Sequence, residues 1–392
     1  MNQWFVAAVW VGLALLASFI SIRTAVSVAL VEILVGVVAG NYLHIAPTEW
    51  ITFIAGFGSI LLTFMAGAEI EPDHLRKYLK ESVGIGALSF LMPFLGAAAF
   101  CYWVAHWDPR AALVGGIALS TTSVAVVYAV MVETGLNETG LGKLVLAACF
   151  ITDLGTVLAL GVFFANFNGW LVLFIAVTAL VLVLAPWATR RILRRYSGHV
   201  SEPAIKLIFL LLFGLGGLAM MSNSEPVLPA YLLGLAVARV FGENRDLVRR
   251  LRTTVFAFLT PFYFLRAGSF VSLSAVWAGV GLIALLLLVK VVCKFVGVWP
   301  LSKAFRFTNK QAWYTTLLAS TGLTFGTISA LFGLNHHLIT QEQYTILVTT
   351  VIASAVVPTL IAQAKFRPTR EEAVSFLAVE PVGAVETEEG HV

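Results

Sequence analysis

The sequence predicts an all-α polytopic membrane protein of about thirteen transmembrane helices, and three observations carry that expectation. Of its 392 residues 59% are hydrophobic and only 12% charged, about half the charge of an ordinary soluble domain. Apolar runs of about 20 residues, long enough to cross a hydrocarbon core of roughly 30 Å, recur from one end of the chain to the other, and mean hydropathy is +0.91. Those runs, such as LIALLLLVKVV and LVLFIAVTALVLVLA, do not alternate apolar and polar residues as the strands of a membrane β-barrel must.

Taken in order, runs bounded by charges, Gly/Pro and tryptophan occupy 3–22, 25–44, 50–69, 83–105, 110–132, 142–165, 169–189, 204–222, 226–241, 253–272, 274–299, 311–333 and 344–364. The first has no Lys or Arg before it and Arg23 after it, the reverse of a cleavable signal peptide, so it is expected to remain as a span. Trp50, Trp103, Trp107, Trp170, Trp187, Trp299 and Trp313 fall near the ends, where an aromatic belt places them.

Basic loops test the count independently. With the N-terminus outside, one side collects Arg23; Arg76, Lys77 and Lys80; Lys143; Arg190, Arg191, Arg194, Arg195 and Lys206; Arg239, Arg245, Arg249, Arg250 and Arg252; Lys303, Arg306 and Lys310; and Lys365, Arg367 and Arg370, 21 of the 25 basic residues. By the positive-inside rule that side is cytoplasmic and the protein belongs in the cytoplasmic (inner) membrane. Topology thus accounts for the net charge of +4, and no nucleic-acid partner is expected. Residues 365–392, polar and ending in a run with Glu386, Glu388 and Glu389, read as a disordered cytoplasmic tail.

Cys101, Cys149 and Cys293 each lie inside an apolar run without a CxxC partner and read as packing residues. No GxxxxGK[ST], HExxH or GxSxG occurs, so neither ATP-driven transport nor a familiar hydrolase is indicated, and no enzymatic activity or cofactor is expected. His336 and His337, in LNHHLITQEQ, read as solvated loop residues.

Thirteen spans divide into inverted halves, about 1–165 and 204–364, around a linker span at 169–189, all within one transmembrane domain over 1–364. The fifth and twelfth spans correspond in that scheme. Both carry a polar, glycine-containing interruption, GGIALSTTSVAVVY at 115–128 and ASTGLTFGTIS at 319–329. Such a matched pair of broken helices points to a transporter's central site, whereas either alone is explained by hydroxyls bonding back to their own helix.

Two acids fall well inside spans, Glu32 and Asp153, at a cost of about 2.5–3.5 kcal/mol each at a bilayer centre. Asp153 lies halfway along the sixth span beside Thr152. A carboxylate there can ligate a small hard cation or hold a proton, but not both, and that competition couples two ions. Thr121, Thr122 and Ser123 supply further oxygens. Lys290 and Lys294 share one helix face: Lys290, the deeper, is expected to face inward as a counter-charge near Asp153, and Lys294 to snorkel to the interface at Trp299. Arg266 is either buried or near the outer surface, about 21 Å of helix beyond Arg252, and Glu32 is expected to line the bundle.

With these residues on the page the chain resembles the monovalent cation/proton antiporter-2 family, which includes bacterial sodium/proton antiporters and Kef-type transporters. The resemblance rests on VEILVGVVAG at Glu32, FMAGAEIEPDHLRK after the third span, STTSVAVVYAVMVETG in the fifth, ITDLGT in the sixth, LTPFYFLRAG in the tenth and Lys290 in the eleventh. It implies a homodimer, each protomer having a scaffold and a mobile core with two crossed, broken helices. It also implies Asp153 as the essential carboxylate, Thr122 and Ser123 as the Thr-Ser of the broken span, and Lys290 as the family's lysine. Thr152 departs from the acid, Asn or Gln found before that carboxylate in relatives, which implies electroneutral one-for-one exchange. The expected function is exchange of Na+ or K+ for H+ by alternating access, with the cation held at Asp153, in the service of pH homeostasis. The alternatives are a Kef-like potassium efflux channel or transporter, and a sodium-coupled organic anion symporter in which Arg266 binds the anion.

Overall fold

A computed structural model describes residues 2–24, 28–44, 47–68, 79–136, 139–164, 169–196, 199, 201–222 and 226–375. Secondary structure among them is entirely helical: α1 Gln3–Thr24, α2 Val28–Tyr42, α3 Glu49–Ala68, α4 Leu79–Trp103, α5 Pro109–Ser120, α6 Val124–Glu133, α7 Gly140–Phe163, α8 Gly169–Tyr196, α9 Pro203–Met221, α10 Val227–Gly242, α11 Arg245–Thr254, a π-helical turn Val255–Leu259, α12 Thr260–Ser269, α13 Leu273–Ala304, α14 Asn309–Ala319, α15 Thr324–Asn335, α16 Gln341–Lys365 and α17 Arg370–Ser375. Only helices satisfy every backbone group within one segment in lipid, so uninterrupted apolar runs take this form. By length and composition nine helices among the described residues can cross a membrane, Asn309–Asn335 being counted as one. Val28–Tyr42 and Val227–Gly242 are shorter apolar helices.

Starts are written locally. Asp108 accepts from the Arg110 amide with Pro109 opening the helix, and Thr139 and Ser272 cap α7 and α13. Thr308 with Gln311, and Thr340 with Gln343, close full capping boxes on α14 and α16.

The helices pack as two bundles, and each sequence half contributes to both. In the first, α2 lies on α12 and α3 on α10, with α1, α8 and α9 beside them. Glycines set these approaches: a Cβ on Gly36 or Gly268 would strike the carbonyl of Leu265 or Ile33, and one on Gly67 or Gly234 the carbonyl of Tyr231 or Phe64. Without a hydrophobic force between helices in lipid, such small residues let dispersion hold the pair. In the second bundle α4 packs on α5, α7 and α13, while α15 and α16 close around α5 and α13. The bundles meet where α10 touches α7 and α12 approaches α15 and α16.

Arg76 and Lys77, with residues 69–78 of FMAGAEIEPDHLRK, lie outside the described residues, as does 376–392 of the expected tail. The tail's beginning is ordered differently from a free segment. Lys365 ends α16, and α17 is held to the start of α14 by Lys310–Glu372 at 3.0 Å and by the Gln311 amide donating to the Glu372 carbonyl at 2.6 Å. Ala373, fully buried, supplies the apolar contact that composition alone concealed.

Candidate ion site at the crossing of two broken helices

Residues 121–123 separate α5 from α6, and 320–323 separate α14 from α15. Each break caps itself: Ser120 and Thr121 hydroxyls donate to the carbonyls of Ile117 (2.8 Å) and Ala118 (3.0 Å), and those of Ser320 and Thr321 to Thr316 (2.8 Å) and Leu318 (2.7 Å). Hydroxyls thereby satisfy the carbonyls a broken helix orphans. The two breaks cross in contact. The Ser123 amide donates to the Thr321 carbonyl at 3.0 Å, and Thr122 Oγ1 to the Ala319 carbonyl at 2.8 Å. Gly326 permits this approach, since a Cβ there would lie 3.0 Å from both the Ala118 carbonyl and Thr121 Oγ1.

Asp153 is 1% exposed on α7, and its Oδ1 has no hydrogen-bond partner. An unpaired buried carboxylate oxygen is costly to leave unmade. Thr152 is equally buried, but its hydroxyl is spent on the carbonyls of Ala148 (3.0 Å) and Gly86 (3.3 Å), tying α7 to α4.

Both lysines of α13 are buried, and only Lys294 departs from its expected place. Lys294 does not snorkel: it is fully buried and donates to Ser89 Oγ (2.8 Å), the Ser120 carbonyl (2.8 Å) and Thr122 Oγ1 (3.0 Å). The reason is length. α13 runs past Trp299, through Pro300, to Ala304, so ten residues, about 15 Å of helix, separate Lys294 from its end. Its ammonium sits at the Ser120 carbonyl and neutralises the negative end of α5. Lys290 is fully buried as expected, but it donates to Ser354 Oγ on α16 at 3.0 Å, beside Gly322 in the other break.

Glu32 and Arg266 lie elsewhere. Glu32, on α2, is 1% exposed with Oε2 unpartnered. Arg266, on α12, is buried at 6% exposure, donates through Nη2 to Asn335 Oδ1 at 3.2 Å, and places its guanidinium 5.1 Å from the Phe270 ring centre. His336 and His337 are exposed at the end of α15.

Two residues of this site were not singled out from the sequence. Ser89, in GALSFLMPFL, is one hydroxyl among many in apolar runs and carries no distinguishing signal. Tyr231, 1% exposed on α10, donates to the Phe150 carbonyl at 2.9 Å, one turn before Asp153; a phenol in the apolar run LPAYLLG was a signal available to sequence reasoning.

The crossing therefore assembles hydroxyls, carbonyl helix ends and two ammoniums, with the buried carboxylate on the adjoining α7, in a closed, oxygen-rich setting. Hard oxygen ligands suit a small hard cation. Among the described residues no group of three His, Cys, Asp or Glu side chains forms a polyvalent metal site.

The family model described as "Sodium/hydrogen exchanger, transmembrane" matches residues 11–364. A probable Na+/H+ antiporter of Methanocaldococcus jannaschii is 24% identical over 86% of this chain and 88% of its own length. A Na+/H+ antiporter of Enterococcus hirae is 25% identical over 88% and 93%, and the Na+/H+-K+ antiporter GerN of Bacillus cereus 21% identical over 87% and 90%. Among solved structures, the sodium proton antiporter MjNhaP1 of M. jannaschii superposes with a TM-score of 0.69 over 94% of this chain and all of that one, at 15% identity, a likeness of fold.

Proposed function

Because this chain belongs to the sodium/hydrogen exchanger family and exchanges a monovalent cation for protons across a membrane, we propose that Asp153 carries both ions in turn. What supports this assignment is its buried, unpartnered carboxylate oxygen beside the two crossing breaks. Thr122 and Ser123 supply oxygen ligands or orient them, Thr152 fixes the rotation of α7, and Lys294 is the tethered charge that holds the empty site. A hydrated cation that displaces the Lys294 ammonium from Thr122 gains a hydroxyl, a carbonyl and the carboxylate in one step. A proton on Asp153 removes the charge that makes the exchange favourable, so one carboxylate cannot hold both ions. One titrating carboxylate implies one cation for one proton. Lys290 keeps the second break rigid, Glu32 serves coupling from within the first bundle, and Arg266 serves it between the bundles. Na+ is the first candidate cation and K+ the second.

By the distribution of basic loops the protein resides in the cytoplasmic membrane with its N-terminus outside and its C-terminus in the cytoplasm. By family likeness it is a homodimer serving pH homeostasis. The test is reconstitution in liposomes with an internal pH dye, an imposed proton gradient and clamped membrane potential. Sodium, lithium or potassium should collapse the gradient in the parent and not in Asp153→Asn. Exchange that persists in that variant removes Asp153 from the mechanism.

A further inference from the structure

The two bundles must shift against each other if Asp153 is to face each side in turn, so side chains that bridge them oppose or select one state. On the face opposite the basic loops several bonds cross this boundary close together. Arg266 of α12 donates to Asn335 at the end of α15 at 3.2 Å. Tyr344 of α16, fully buried, donates to the Ala267 carbonyl at 2.7 Å. Gln341, at the start of α16, donates to the carbonyl of Phe270, which ends α12. The Phe270 ring lies edge-on to Tyr344 at 6.3 Å and under the Arg266 guanidinium. A buried guanidinium needs compensation, and Arg266 finds its hydrogen-bonding partner across the boundary, in the Asn335 amide oxygen, beside the Phe270 ring that ends its own helix. Its Nε has no partner, so its hold on α12 alone is weak.

We propose that Arg266 and Asn335 form an outer clasp, a gating contact made when the outer side is closed and broken when the bundle carrying Asp153 shifts to open it. Asn335 is exposed while Arg266 lies just beneath it, which is the arrangement of a closure at the rim rather than of a core contact. An amide partner in place of a carboxylate makes the clasp weak enough to break in every cycle: a neutral oxygen accepting from a guanidinium holds less tightly than an ionised one. The transport consequence rests on the exchange reading above; the clasp itself does not.

Phe325 reports on closure, because it lies at 3% exposure on the outer half of the twelfth span with its ring 6.4 Å from Tyr231 across the boundary. The full chain, with Cys101, Cys149 and Cys293 replaced by alanine and Phe325→Cys added, is labelled in proteoliposomes by a membrane-impermeant maleimide from each face. Arg266→Gln and Asn335→Ala should each speed labelling from the outside by about fivefold, the population shift that loss of one hydrogen bond of a charged group produces. Labelling from the inside should not rise. Asn335→Asp, which turns the amide into a charged partner, should slow outside labelling below the parent. Asn335→Ala alters an exposed residue and remains informative if Arg266→Gln does not fold. Unchanged labelling in folded variants overturns the clasp, as does acceleration from both faces. Faster outside labelling in a chain that never exchanges ions leaves the clasp standing and removes the exchange reading.

Discussion

The two breaks of this protein are built alike and have different neighbours. Both interrupt a span with hydroxyl residues that cap their own last carbonyls, and each receives one lysine from the same face of α13. Yet α7, which carries Asp153, packs more closely on α5 and α6, around the break at 121–123, than on α14 and α15. Lys294, serving that break, makes three hydrogen bonds to it and its surroundings, whereas Lys290, serving the break at 320–323, makes one to Ser354. An inverted repeat can thus supply a symmetric crossing of backbone while the ion chemistry is assigned to one side of it. The second break then acts as the wall against which the first is held, through the Ser123 amide and Thr122 hydroxyl bonds to Thr321 and Ala319.

Substitutions rank by how directly they test this asymmetry. Asp153→Asn should reduce exchange by at least about a hundredfold, since the neutral amide can neither hold the proton nor offset the cation's charge. Measured in the same liposomes, Lys294→Ala should lower exchange by about thirtyfold and Lys290→Ala by about threefold, in proportion to the three and one charge-assisted bonds lost. A larger loss for Lys290→Ala would reverse the roles given to the two breaks. Thr122→Ala should raise the cation KM by about fivefold, while Thr321→Ala, whose hydroxyl bonds only within its own turn, should change KM by less than about twofold. Equal effects would mean that the ion uses both breaks.

The smallest effect concerns the tail that steadies the second break. Glu372 accepts from the Thr369 amide at 2.7 Å and from Lys310 at 3.0 Å, and those partners hold its carboxyl below the ordinary range. A depressed carboxylate stabilises the folded form above its unfolded pKa, and the contribution fades as pH falls through the lowered folded value. Glu372→Gln should therefore speed hydrogen exchange in α17 at neutral pH, and the difference from the parent should vanish in acid. Because the carboxylate is exposed, KM should remain within about twofold of the parent.

Much of this was legible in the chain. Asp153 stands out because acids are rare in apolar runs, and the two interruptions stand out because hydroxyls and glycine seldom cluster in a span. What misled was Trp299. Taken as the end of a span, it put Lys294 near the interface; α13 instead continues through Pro300 to Ala304. Ser89 was invisible for another reason: its importance lies in facing Lys294 across 205 residues of sequence, and no local pattern encodes that distance.

The sequence by itself determined the membrane class, the order of helices, the position of the two breaks and the carboxylate between them. Hydropathy, capping residues and misplaced charges are local properties that act wherever the chain lies. The tertiary structure decided that Lys294 is buried against the first break, that the breaks touch, and that Arg266 bridges two bundles rather than lying free. Those outcomes depend on the rotation and length of each helix in its packed place, which glycine approaches and interhelical bonds fix only once all the helices are present.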